Sequence, residues 1–129
     1  MHKPIPGKLN QFSGKIVHGA FLVHSKLGPG LLENVYEICL HHELKKMGLK
    51  VERQVSVPVK YHELVFDAAF RIDLLVEDQI VVELKSVESL LPVHEAQVLT
   101  YLKLTNRRIG LLINFNVPVL KEGLQRIIL

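Results

Sequence analysis

Arg71-Ile-Asp-Leu-Leu-Val-Glu-Asp-Gln-Ile-Val-Val-Glu-Leu-Lys85 decides how this chain is read. Two aliphatic, β-branched runs flank an acidic turn, which is the pattern of a hairpin. Apolar residues take the even positions in both runs: Phe66, Ala68, Phe70, Ile72, Leu74 and Val76, then Ile80, Val82 and Leu84. The odd positions hold Asp67, Arg71 and Asp73, then Gln79, Glu83 and Lys85. Strand side chains alternate between faces, so the apolar faces coincide only if paired residues share parity. A three-residue loop, Glu77-Asp78-Gln79, meets that condition and sets Asp73 opposite Glu83.

Carboxylates placed this way have Cβ atoms roughly 4.5–5.5 Å apart, and like charges directly opposite destabilise a sheet. A divalent cation between them reverses that repulsion. Ligands that are all oxygen suit Mg²⁺ or Mn²⁺ rather than zinc. Lys85 lies two residues past Glu83 and projects from the same face. Its ammonium can neutralise a carboxylate, position a water, or stabilise charge developing on a phosphate. The competing reading is a solvated sheet face on which Lys85 salt-bridges its neighbours.

Upstream of the hairpin, residues 1–12 contain two prolines and a glycine and read as a flexible arm, leaving 13–129 as one domain. Ile16, Val17, Ala20, Val23 and Leu27 recur at helical spacing from Ser13, and Gly28-Pro29-Gly30 then forces a turn. A second helix is expected over Leu31 to Met47, with Gly48 as its stop. Glu33 lies at the margin of its apolar stripe, either as a site residue or as a first-turn acid that favours the helix N-terminus. A strand follows over Val51 to Tyr61, a turn at Tyr61-His62-Glu63, and the hairpin strands over Leu64 to Val76 and Gln79 to Val87.

Downstream, Pro92 opens a third helix reaching Leu104, and Asn106 can end it. Gln97 and Tyr101 are four apart and share a face of that helix, among Val93, Ala96, Val98, Leu99 and Leu102. They could orient a nucleic-acid backbone or a metal ligand; a marginal Gln and a core-packed Tyr is the plainer alternative. His94 could reach the same rim, although a first-turn His is commonly just exposed. Arg108 to Phe115 reads as a buried strand, and the tail as a short turn with a closing strand. The expected class is α/β, a mixed sheet flanked by helices in the order ααβββαβ(β), with a parallel pair across the third helix.

Asp73, then Glu83-Leu84-Lys85, then Gln97-Val-Leu-Thr-Tyr101 resembles the PD-(D/E)XK nuclease superfamily in its RecB-like branch, which carries a QxxxY helix. Gly30-Leu-Leu-Glu33-Asn-Val-Tyr36 also matches the motif that names the GxxExxY family of small nuclease-like proteins. The resemblance runs from about Ile16 through Asn114-Phe-Asn-Val-Pro118 to the end of the chain. It implies a restriction-endonuclease-like core and Mg²⁺-dependent (or Mn²⁺-dependent) phosphodiester hydrolysis. It implies metal ligation by Asp73, Glu83 and the Leu84 carbonyl, with a further carboxylate from Glu33. Lys85 would be the catalytic lysine, and Gln97 with Tyr101 would complete the site. Ile72 stands where the superfamily's name has proline, a position that varies within it.

The 129 residues fit one domain, and 48% hydrophobic content gives it a sizeable core. A single cysteine, Cys39, excludes an internal disulfide and a multi-cysteine zinc site. The N-terminus lacks the apolar stretch of a signal peptide and no run suits a membrane span, so a cytoplasmic, membrane-free protein is expected. A net charge of +3 spread along the chain permits nucleic-acid binding without demonstrating it. The leading expectation is a metal-dependent nuclease on nucleic acid, with DNA favoured and a homodimer as a candidate state. The alternatives are a non-catalytic module that binds nucleic acid or protein on the same fold, and a structural partner in a larger complex.

Overall fold

The computed structural model describes residues 3–129; Met1 and His2 of the expected arm lie outside the described residues. Its elements are α1 (Gly7–Leu27), α2 (Glu33–Lys46), β1 (Val51–Tyr61), β2 (Leu64–Val76), β3 (Ile80–Lys85), α3 (Pro92–Thr105), β4 (Ile109–Asn114), a 3₁₀ turn (Leu120–Gly123) and β5 (Leu124–Ile128). The strands form one sheet in the order β1-β2-β3-β4-β5. Every neighbouring pair is antiparallel except β3 with β4, which is parallel because α3 carries the chain back between them. This is the mixed, helix-flanked sheet of the restriction-endonuclease-like α/β class.

Helices cover both faces. Leu74, Val76, Ile80, Val82 and Leu84 pack with Ile16, Ala20, Tyr36 and Leu40 of α1 and α2. Leu75, Val81 and Leu112 pack with Val98, Tyr101 and Leu102 of α3. The hairpin therefore buries odd as well as even positions, and its strands read as near-continuous apolar runs for that reason. A Cβ on Gly110 would stand 2.5 Å from Val98 Cγ1, so the missing side chain lets α3 lie close on β4.

Three sequence expectations are corrected. The first helix begins at Gly7, not Ser13: Pro6 leads into it, its carbonyl accepts from the Leu9 and Asn10 amides, and Leu9 is buried. A proline at a helix start is pre-organised for the turn, so here it marks an entry and not a loose arm. The second helix starts at Glu33, and Leu31 and Leu32 are exposed. Phe66 and Ala68 are not core, because β3 pairs only with Leu74–Val76 and the first half of β2 has β1 as its neighbour.

The Gly30–Tyr36 stretch has a structural role of its own. Gly28 and Gly30 adopt φ 68° and 98°, a region L residues avoid. The Tyr36 hydroxyl donates to the Gly28 carbonyl (2.6 Å) and accepts from the Leu31 amide (3.0 Å), and its ring stacks on Phe115. Ser86 Oγ donates to the Leu31 carbonyl at 2.6 Å. These bonds fix the start of α2, and with it Glu33, beside the end of β3.

Candidate functional site

The hairpin has the expected register, with Val76 paired to Ile80 and Leu74 to Val82 around a three-residue loop. Glu77 and Asp78 take φ 53° and 56°, the left-handed twist that suits tight hairpin loops. Arg107 clamps Asp78 at 2.8 Å and so ties the loop to the segment after α3.

Regular pairing stops at Leu74 and Val82, and side chains take over from the ladder. The Asp73 amide donates to Glu83 Oε1 at 3.1 Å, and the Leu84 amide donates to Asp73 Oδ2 at 2.8 Å. Each carboxylate thus spends one oxygen on the opposite backbone. The Lys85 carbonyl accepts from the Phe115 amide on the β4 side. Successive residues of a strand address opposite edges, so the Leu84 amide and carbonyl both face the β2 side, where Asp73 lies.

Burial and mutual repulsion act together on this pair. Glu83 is only 6% exposed, and desolvation, followed by the charge of Asp73, pushes its carboxyl up to about 8. Asp73 is raised above its ordinary value too, chiefly by desolvation, with added repulsion from Glu37 and Glu33. Lys85 lowers both but makes no ion pair with either among the described residues. Tyr101 is raised by burial and, less, by the charges of Glu83 and Asp73. Two desolvated carboxylates, oxygen donors only and short of positive charge, fit a hard divalent cation. Among the described residues, no group of three or more His, Cys, Asp and Glu side chains is arranged to hold a metal ion. A cation here would have to draw on the Leu84 carbonyl and water as well as Asp73 and Glu83.

A family model described as the PD-(D/E)XK nuclease superfamily matches residues 10–127. The chain belongs to that superfamily. No curated protein and no solved structure matches it. No helix among the described residues is long and apolar enough to cross a membrane.

The remaining expected residues of this PD-(D/E)XK protein divide. Glu33 is exposed at the start of α2, close enough for its charge to raise both Asp73 and Glu83. Gln97 is exposed on α3 and makes no hydrogen bond among the described residues, while Tyr101 is buried with its ring stacked on Phe70 at 4.1 Å. His94 is a helix-start residue: its Nδ1 accepts from the Leu91 amide at 2.9 Å, and its own amide donates to the Leu91 carbonyl.

The sequence reading missed Glu37, Arg53 and Gln54. Gln54 sits at φ 52° and drops out of the β1–β2 ladder between Arg53 and Val55. The kink lets adjacent side chains, which a regular strand would send apart, converge on one carboxylate. Arg53 Nε and Nη2 donate to Glu37 Oε2 at 3.1 and 2.9 Å. Gln54 Nε2 donates to Glu37 Oε1 at 2.6 Å and reaches Asp73 Oδ1 at 3.4 Å. Buried Glu37 therefore anchors Gln54 against Asp73. Arg53→Ala is expected to lower stability by about 2 kcal/mol in urea unfolding, because it strands a buried carboxylate. Adding Glu37→Gln should recover most of that loss; a double variant no more stable than Arg53→Ala would refute the pairing.

Proposed function

We propose that this protein is a metal-dependent nuclease that hydrolyses phosphodiester bonds in nucleic acid, with DNA as the favoured substrate. The observation carrying this reading is the pair Asp73 and Glu83, desolvated, mutually repelling and set side by side with Lys85 near. In this reading α1 through β5 form a single nuclease domain. Gly30, Glu33 and Tyr36 support a place in the GxxExxY family, and Gln97 with Tyr101 support the RecB-like branch.

Asp73, Glu83 and the Leu84 carbonyl would hold Mg²⁺ or Mn²⁺, with Glu33 adding negative charge from α2. Bound there, the ion supplies Lewis acidity toward a phosphoryl oxygen and a lowered pKa for water. Lys85 offers the mobile ammonium that can orient the attacking water and offset charge developing on the phosphate. Tyr101 and Gln97, one turn apart on α3, flank the path of the backbone. Gln54, anchored by Glu37, keeps Asp73 in place. One such site cuts one strand, so a duplex substrate favours two copies acting together.

The test is cleavage of single-stranded, duplex and branched DNA and of RNA, with Mg²⁺ or Mn²⁺. Asp73→Ala and Lys85→Ala are each expected to reduce cleavage to background while leaving the fold intact by circular dichroism. Activity surviving in both would end this assignment. Binding without turnover in the wild type, unchanged by Lys85→Met, would favour the non-catalytic module instead.

A further inference from the structure

Lys85 is the last residue of β3, and residues 86–91 run on as a loop to α3. A strand end frays unless its backbone groups find partners. The Lys85 ammonium makes no ion pair among the described residues, so the placement of its backbone sets the region it can reach.

Asn114 supplies the missing partners. β4 ends at this residue, directly opposite Lys85. Glu83 and Lys85 address β4 with their backbone groups, and Val87 is the next residue due to do so. The strand that would meet Val87 has stopped, and the Asn114 side chain takes its place. Its Oδ1 accepts from the Val87 amide at 3.1 Å, and its Nδ2 donates to the Val87 carbonyl at 3.0 Å. A side-chain amide holds a donor and an acceptor side by side, as a peptide group does.

The graft is itself braced. Asn114 is 2% exposed, which keeps it away from any substrate. Its Oδ1 also accepts from the Asn116 amide at 3.2 Å, and Asn116 Nδ2 adds a second donor to the Val87 carbonyl at 3.3 Å. A Cβ on Gly123 would stand 2.1 Å from the Asn114 carbonyl oxygen, so the 3₁₀ turn closes directly on the Asn114 backbone. Three consecutive residues are gripped as a result. The Phe115 amide holds the Lys85 carbonyl, the Leu31 carbonyl holds Ser86 Oγ, and Asn114 holds Val87.

We propose that Asn114 is a positioning residue for Lys85. The proposal rests on the nuclease reading, in which Lys85 meets an attacking water and a phosphate beside Asp73 and Glu83. A misplacement of about 1 Å in such a site can cost roughly a hundredfold in rate. Asp73 and Glu83 are held separately, by the amides of Leu84 and Asp73. Loss of the Asn114 amide therefore shifts the amine and leaves the metal pair in place. An asparagine that served the fold alone would loosen both or neither.

Two measurements test this. In steady-state cleavage of single-stranded DNA with Mn²⁺, Asn114→Ala is expected to lower kcat at least about tenfold, with KM and the Mn²⁺ dissociation constant within about twofold of wild type. Asn114→Asp keeps both accepted bonds and loses only the donated one. It should lose less, about threefold, and it carries the test if Asn114→Ala does not fold. The second measurement needs no cleavage. In protein with isotope-labelled dimethyl-lysines, substoichiometric Mn²⁺ broadens the Lys85 methyl resonance, which is identified by its loss in Lys85→Arg. Broadening falls with the sixth power of distance, so a displacement of about 1 Å changes it roughly twofold. The variants should show that change at Lys85 and none at the Leu84 amide. Variants that keep the wild-type kcat, that lose Mn²⁺ affinity in step with kcat, or that leave the Lys85 broadening unchanged would each overturn the proposal. A wild type in which Mn²⁺ broadens neither Leu84 nor Lys85 would overturn it together with the nuclease reading. A wild type that binds Mn²⁺ at the pair yet cuts nothing would end the nuclease reading alone, and the Lys85 broadening would still decide what Asn114 holds.

Discussion

Glu83→Gln will abolish metal-dependent cleavage and, in EDTA at pH 9, raise the melting temperature above that of the wild type. The two effects share one cause. Glu83 ionises only when pushed, because it is buried beside a second carboxylate. Above pH 8 the folded protein must carry that charge where water is scarce and Asp73 is near. Glutamine keeps an oxygen to accept from the Asp73 amide, as Glu83 Oε1 does at 3.1 Å, and carries no charge. Relief of such a buried charge amounts to a few kcal/mol, or several degrees for a domain of this size. A structural carboxylate would behave oppositely: losing it would cost stability and leave chemistry untouched. Differential scanning calorimetry in EDTA, run beside the cleavage assay, separates the two. A variant that melts below the wild type at pH 9 would show that the site is not strained by its own charge.

The hairpin was readable because parity leaves so few solutions. Apolar residues at even positions on both sides of Glu77–Gln79 permit only an odd loop, and the Leu74–Val82 and Val76–Ile80 pairs follow from it. Tyr61 and Asn106 were readable as element ends for similar local reasons: a turn follows the first, and the second takes the left-handed φ of 54° that asparagine tolerates. What the sequence hides is of two kinds. Alternation shows which side a residue faces, but not whether a further layer covers that side. Phe66 and Leu74 share parity, yet one is exposed and the other is core, because β3 is too short to reach the first.

The second kind is convergence through a kink. Arg53 and Gln54 are neighbours, and strand logic sends them to opposite faces. Only the positive φ of Gln54 brings both to Glu37, and a glutamine gives no sequence signal for that conformation. Glu37 lies one turn beyond Glu33 on α2, and nothing in the sequence sets the two apart, yet Glu37 is buried and Glu33 is open. The motif glutamate and the anchoring glutamate are different residues, one electrostatic at the rim and one a support for Gln54 beneath it.

The metal-free protein is expected to lose stability as pH rises from about 4.5 to about 8, and Mg²⁺ or Mn²⁺ should largely cancel that loss. The sign follows from the carboxyls. Glu83 moves from 4.5 in the unfolded chain up to about 8 in the fold, and Asp73 also moves up. Between those values the unfolded chain has released protons that the folded chain still holds. Stability then falls with rising pH across the window and levels off above it, by a few kcal/mol in all. A divalent cation binds the ionised pair, so its apparent affinity climbs through the same window as protons leave. The gap in unfolding free energy between metal-loaded and EDTA-treated protein should therefore widen from pH 5 to pH 8. Other groups titrate over this range, so the Asp73→Asn/Glu83→Gln double variant is the reference: its gap should stay near zero throughout. Urea unfolding at fixed metal concentration measures both. Parallel curves for metal-loaded and metal-free wild type would mean that the cation, if bound at all, binds away from Asp73 and Glu83.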